Sequence, residues 1–137
     1  MTRDEFCNLM ASVKMQVGGS TTDLAFDMRM QWSTLNRLEK GKNNFSVQKM
    51  LEYIKYLNAN LYFCNDQKSI EISSYNDILT WLKKCRGTNI SQRKLAELIG
   101  CSRANLANVE LGKTIMSIDT LLKMAEVFNN KIDIRPI

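Results

Sequence analysis

The sequence predicts a mainly α fold: two units of four short helices each, joined by a small antiparallel β element. Three observations predict it. One proline and six glycines interrupt 137 residues that are 45% hydrophobic and 24% charged, a globular composition that leans helical. The chain aligns with itself without a gap at an offset of 71 residues. Such self-similarity is the mark of a fold built from repeated units. After the fourth predicted helix of each half, the apolar period changes from 3.6 residues to two.

The self-alignment runs from about residue 10 to 63 against 81 to 134. Identities fall at Ser20/Ser91, Leu24/Leu95, Ala25/Ala96, Leu35/Leu106, Glu39/Glu110, Gly41/Gly112, Lys42/Lys113, Ser46/Ser117, Leu51/Leu122 and Asn58/Asn129. Apolar matches such as Met28/Ile99, Leu38/Val109 and Val47/Ile118 lie between them. The identities cluster at caps, turns and core positions, which gives them more weight than their number. The implied organisation is a divergent unit over 1–64, a hairpin and linking strand over 65–73, and a second unit with a C-terminal strand over 74–137.

In the first unit helices are expected near 3–16, 21–28, 32–40 and 47–57. The second unit is written more clearly. Ser74 caps a helix over 75–86 that carries Ile78, Leu79, Trp81 and Leu82, and Ser91 caps QRKLAELI; a serine at this position satisfies free N–H groups of the first turn. Gly100 ends that helix as a residue able to take positive φ. Ser102 then caps RANLANVEL, Gly112 ends it, and Ser117 caps IDTLLKMAEVF with its stripe of Ile118, Leu121, Leu122 and Ala125. NLYF (60–63), SIEIS (69–73) and KIDIRPI (131–137) are the expected strands, with NDQK (65–68) as a hairpin turn. KIDIRPI is placed at an edge or terminus, because Pro136 has no N–H to give to a ladder.

The net charge of +5 and pI near 9.1 suit an anionic partner,. Residues 1–71 carry nine Lys/Arg against eight Asp/Glu, and 72–137 carry ten against six, so the stronger anion-facing surface is expected in the second half. The absence of histidine and of any CxxC pair excludes Cys/His zinc sites and histidine-based nucleophile relays,. No GK[ST] follows Gly18-Gly19, and no carboxylate pair has a plausible partner. An enzyme, a metal and a cofactor are therefore not expected. No apolar run approaches the ~18–20 residues of a membrane span, and MTRDEFCNLM does not resemble a signal peptide. The expectation is a reduced, cytoplasmic, nucleoid-associated protein whose thiols Cys7, Cys64, Cys85 and Cys101 fill the core,.

Two short helices joined by a tight glycine-containing turn form a helix-turn-helix. SQRKLAELIGCSRANLANVELGK (91–113) resembles the DNA-binding core of the phage-repressor, Cro/CI-like helix-turn-helix family, also called the xenobiotic-response-element type. The resemblance rests on Ser91-Gln92, Leu95-Ala96, Gly100, Ser102, Leu106 and Glu110-x-Gly112-Lys113, is close over 78–130 and looser over 7–59. It implies two lambda-repressor-like units and double-stranded DNA as partner. A wheel that turns Leu106 and Val109 to the core turns Arg103, Ala104, Ala107 and Asn108 outward. Arginine can pair with guanine and asparagine with adenine, and a small alanine admits a thymine methyl. By the resemblance Arg103, Ala104 and Asn108 read base edges, while Gln92, Arg93, Ser102 and Lys113 meet phosphates. Glu110 is expected to pair with a basic residue late in the preceding helix. The matching position holds Cys85, so Lys84 or Arg86 must substitute; the alternative is a solvated carboxylate. A Lys14–Glu39 pair is expected in the first unit.

The first unit departs further. Arg29 stands where Gly100 does, so its turn is less favoured, and Thr21 replaces Gln92. Its third helix offers Asn36 and Arg37 as base readers and Lys42 as a phosphate contact, with Trp32 expected more often in a packing interface. Either both units face DNA as an intrachain pseudo-dimer, or the first serves homodimerisation and the second alone reads. The leading functional class is a sequence-specific transcriptional regulator. The alternatives are an antitoxin that also masks a toxin protein, and an interaction module that has lost DNA binding.

Overall fold

The computed structural model describes all 137 residues. A first helical run comprises α1 (Arg3–Val17), α2 (Thr21–Met28), α3 (Trp32–Glu39) and α4 (Val47–Tyr56), and is followed by β1 (Ala59–Cys64) and β2 (Ser69–Ile72). A second run comprises α5 (Tyr75–Arg86), α6 (Gln92–Ile99), α7 (Arg103–Glu110) and α8 (Ile118–Val127), and ends in β3 (Lys131–Pro136). Helices and strands fall where the sequence places them. The ends shift by a residue or two, as where α7 closes at Glu110 and α8 at Val127.

Local chemistry sets these boundaries. Ser20, Ser46, Ser74, Ser91, Ser102 and Ser117 each accept a backbone N–H three residues on, and Thr2 does the same for α1. Only α3 lacks this support, since its cap Gln31 makes no such bond. Left-handed residues cap α2 and α6, and lie one residue past the caps Leu57 and Phe128 of α4 and α8. Gly100 has φ 75°, and Asn58 and Asn129 have φ 55° and 57°. The Asn58/Asn129 identity therefore has a conformational cause, because asparagine tolerates this region better than other side-chain-bearing residues. Arg29 takes φ 55° at the corresponding point after α2, and its N–H reaches the carbonyls of Ala25 and Phe26. The turn expected to be less favoured thus forms, with a non-glycine residue held in the left-handed region.

The three strands form one antiparallel sheet in the order β2-β1-β3, with β3 at an edge. Asn65 closes the β1–β2 hairpin: its N–H donates to the Lys68 carbonyl at 2.9 Å and its side chain accepts from Gln67 and Lys68. Leu61, Phe63, Ile72, Ile132 and Ile134 are buried on one face. Phe63 stacks edge-on against Trp81 of α5 at 4.7 Å, and Trp81 meets Phe128 at 5.9 Å.

In the β1–β3 ladder Tyr62 stands opposite Asp133, and in a separate bridge Ser46 stands opposite Ser117. Both pairs join residues 71 apart. The bridge is made by Val47 N–H to the Met116 carbonyl at 3.0 Å and Ile118 N–H to the Phe45 carbonyl at 2.7 Å. Around it α4 packs on α8, α1 on α8, and α5 on α4. Arg3 forks onto Asp119 with both bonds at 2.9 Å, tying the start of α1 to α8. A single contiguous core of 35 buried residues runs through both helical runs. Of the four free cysteines only Cys7 is buried, and Cys64, Cys85 and Cys101 are half-buried. Burial pushes the Cys7 thiol up to about 11, so little reactive thiolate forms there near neutrality.

The left-handed Arg29 generates a stability prediction. A residue with a Cβ in this region costs about 1–2 kcal/mol, so Arg29→Gly is expected to raise stability by roughly 1 kcal/mol. A urea titration that shows a higher midpoint at unchanged slope meets this expectation; an unchanged or lower midpoint contradicts it.

Candidate nucleic-acid interface

The α6–turn–α7 segment is built from two buried faces and a tight reversal. Leu95, Ala96 and Ile99 of α6 pack with Leu106 and Val109 of α7 in the core. Between them Gly100 turns the chain and Cys101 N–H returns to the Ala96 carbonyl at 3.0 Å. Ser102 accepts the Asn105 N–H at 3.1 Å and opens α7.

Exposure along α7 is graded. Arg103, Ala104 and Asn105 are exposed, Ala107 and Asn108 are half-buried, and Val109 and Glu110 are buried, with Leu106 buried on the inner face between the first two groups. The helix therefore presents its N-terminal end to solvent and sinks its C-terminal end into the protein. Asn108, expected to face outward, sits at the margin of that face, and its carbonyl anchors the next loop by accepting Lys113 N–H at 2.9 Å. Asn105, which the helical wheel leaves aside, belongs to the exposed first turn. Arg93, Ser102 and Lys113 are exposed around it.

A buried carboxylate holds α7 at this angle. Glu110 is 6% exposed and is the only buried polar or charged residue. Arg86 at the end of α5 grips it through Nε at 2.6 Å and Nη2 at 3.0 Å, and the Gln92 amide donates to it at 2.7 Å. The solvated alternative for Glu110 is thereby excluded, and of the two possible partners it is Arg86, not Lys84, that pairs. Gln92 was expected at a phosphate. One donor of its amide is committed to Glu110 from the start of α6, so the Gln92 nitrogen helps to hold α7.

Glu39 at the end of α3 is held in the same way by different residues. Lys14 approaches it at 2.8 Å, the Thr21 hydroxyl donates at 2.6 Å, and the Tyr53 hydroxyl donates to its other oxygen. Lys14 also donates to Thr21 Oγ1. Met124 stands 71 residues beyond Tyr53 and has no proton to offer, so the two-pronged Arg86 guanidinium does at Glu110 what Lys14 and Tyr53 do together at Glu39. Burial alone would raise the Glu39 carboxyl. The hydrogen bonds from Lys14, Thr21 and Tyr53 outweigh it and hold the group below its ordinary value.

On α3 the exposed residues are Trp32, Ser33, Thr34 and Arg37, and Asn36 is half-buried. Trp32 is 52% exposed, so it packs into no interface within the chain. Arg29, Arg37, Lys40 and Lys42 are all exposed. From Arg29 to Lys49 the only carboxylate is Glu39, which its partners neutralise. The half-by-half count, which pointed to the second half, hides this local cationic stretch because Asp23 and Asp27 on α2 offset it.

Two changes probe these carboxylates. Glu110→Ala leaves Arg86 without its partner and is expected to cost roughly 3 kcal/mol, the lower end of the range for a broken buried pair; a loss below about 1 kcal/mol in urea titration contradicts the assignment. For Glu39 the native carboxyl is lowered, so its stabilisation is complete above the ordinary value of 4.5 and disappears as pH falls through the lowered native value,. The stability gap between the natural protein and Glu39→Gln should therefore close on acidification below about pH 4.5; a gap that persists unchanged at pH 3 opposes it. Residues 82–134, which contain α6, the turn, α7 and α8, match a family model described as helix-turn-helix, of the xenobiotic-response-element type. No curated protein and no solved structure matches the chain.

Proposed function

We propose that the protein is a sequence-specific DNA-binding regulator of transcription that inserts α7 into the major groove of double-stranded DNA. The observation that carries this reading is the graded exposure of α7 above the Arg86–Glu110–Gln92 lock. A helix presented by its N-terminal end on a rigid base is what groove reading requires, because base contacts come from the first turns of such a helix. In this reading Arg103, Ala104 and Asn108 meet base edges. Arg93, Ser102, Lys113 and the free part of Gln92 meet phosphates, which fix register without carrying sequence information.

The reading extends to the first helical run. The chain is proposed to consist of two lambda-repressor-like units of common origin, 1–64 and 74–137, linked through 65–73. The self-alignment at an offset of 71 residues, the shared left-handed ends and the matched Glu39 and Glu110 locks support this. In the first unit Asn36 and Arg37 are the proposed base readers and Lys42 a phosphate contact. Regulation of this kind places the protein at the nucleoid.

The test is binding to selected and to random duplexes across a salt series. Arg103→Ala is expected to lose about 1–3 kcal/mol on the selected site and to relax preference at one base. Lys113→Ala is expected to weaken all duplexes alike and to reduce the salt slope by about one. Equal affinity for selected and random pools removes the regulator reading.

A further inference from the structure

We infer that one chain carries its own dyad and binds, as a monomer, a bipartite DNA site whose two half-sites are inverted and different in sequence. The inference rests on the DNA-reading function proposed above and specifies the ligand. Two pairings in the fold carry it. Tyr62 faces Asp133 in the β1–β3 ladder and Ser46 faces Ser117 in the separate bridge. Each residue is paired with the one 71 positions away. Where a segment pairs antiparallel with its own counterpart, the point at which a residue meets its equivalent lies on a local twofold axis. Two such points define the axis. The helix–helix contacts follow it as well: α1 packs on α8 as α5 packs on α4, and α2 meets α3 and α4 as α6 meets α7 and α8, whereas against the sheet α1 lies on β3 and α5 on β2.

A rotation about that axis carries α7 onto α3. Arg103 then superposes on Trp32, Ala104 on Ser33, Ala107 on Asn36 and Asn108 on Arg37. Both helices lead through a short loop, 40–46 or 111–117, to the Ser46–Ser117 bridge on the axis. Each loop of seven residues spans at most about 25 Å when extended. The helices thus flank the dyad within reach of the ~34–36 Å that separates successive major grooves on one face of DNA. Along α3 and the loop after it the exposed charges are Arg37, Lys40 and Lys42, with Arg29 just before the helix. The exposed carboxylates Asp4, beside Gly41, and Asp27 on α2 border this stretch, whose net positive charge suits phosphates. The two readers share a geometry and differ at every outward position, so symmetry of the fold does not produce a palindrome.

The experiment selects binding sites from a random pool with the full-length protein, then measures stoichiometry by sedimentation on the enriched duplex. The expected result is one chain per duplex and two unlike sequence blocks about one helical turn apart. Scrambling either block should weaken binding, and inserting five base pairs between them should abolish the contribution of one. Arg37→Ala, a change at an exposed residue whose side chain makes no hydrogen bond in the fold, should relax preference about 5–150-fold at a base in one block only. Arg103→Ala should act in the other block only. Two chains on a palindrome, or a single block unaffected by Arg37→Ala, overturns this inference while leaving DNA reading intact. No enriched sequence at all overturns the DNA-reading proposal and this inference with it.

Discussion

The arrangement of the two helical runs depends on one non-local element, the antiparallel pairing of β1 with β3, supported by the Ser46–Ser117 bridge. β1 follows the first run and β3 follows the second, so six paired positions from Ala59–Pro136 to Cys64–Lys131 fix where α4 and α8 come together. A slip of one residue would turn Leu61 and Phe63 away from the core and break the Phe63–Trp81 contact, because strand side chains alternate faces. Register is therefore strongly specified. The Arg3–Asp119 fork adds a tie between the runs outside the sheet. With α4 and α8 set, the loops before them are set too, and through those loops α3 and α7.

The second constraint is local and is met twice. A short helix of eight residues has few contacts to hold its angle, and in both runs a carboxylate at its C-terminal end is drawn inward and saturated with donors. Glu39 uses an ammonium, a threonine and a tyrosine, whereas Glu110 uses a guanidinium and an amide. Both solutions satisfy the same requirement, that a carboxylate drawn out of water, fully at Glu110 and partly at Glu39, be paired and hydrogen-bonded,. Burial and the Glu39 bond push the Tyr53 hydroxyl well up, so it stays a donor at any ordinary pH. Arginine can replace a lysine and a tyrosine because its fork presents two parallel donors in a fixed plane.

The helices and their ends were legible because caps and apolar periods are local signals: Ser91, Ser102, Gly100 and Ser117 sit where the chain turns. The hairpin was legible for the same reason. What the sequence did not disclose was non-local or one residue out of phase. Alignment puts Cys85 opposite Lys14 and leaves Lys84 and Arg86 as the candidates to pair with Glu110; which of the two does so was not legible, and it is Arg86, reaching the carboxylate from the next position along α5. The exposure of Trp32 could not be read from its chemistry, since an indole is more often covered. The wheel for α7 assumed uniform depth along the helix and so missed Asn105 and overstated Asn108. The pairing of Tyr62 with Asp133 had no local signature, and neither did the axis it marks.

If the axis has the role inferred for it, the covalent link changes the energetics of recognition. A repressor that dimerises through separate chains occupies its site with a dependence on dimer formation, and hence on its own concentration. On that inference a second reader would be held beside the first by a ladder and a shared core of 35 residues. Its engagement would be intramolecular and governed by an effective concentration, not by the amount of protein. Rigidity matters as much as linkage, because a stiff connection gains only when both half-sites lie at the matching spacing and phase, and gains nothing otherwise. The fusion also frees the readers from identity. In a homodimer any change in the recognition helix appears in both half-sites, whereas here Trp32 and Arg103, or Arg37 and Asn108, can diverge independently. On the inferred arrangement, a fold kept symmetric by its strands and core would read an asymmetric sequence, and the divergence of α3 from α7 would be a source of specificity instead of a sign of decay.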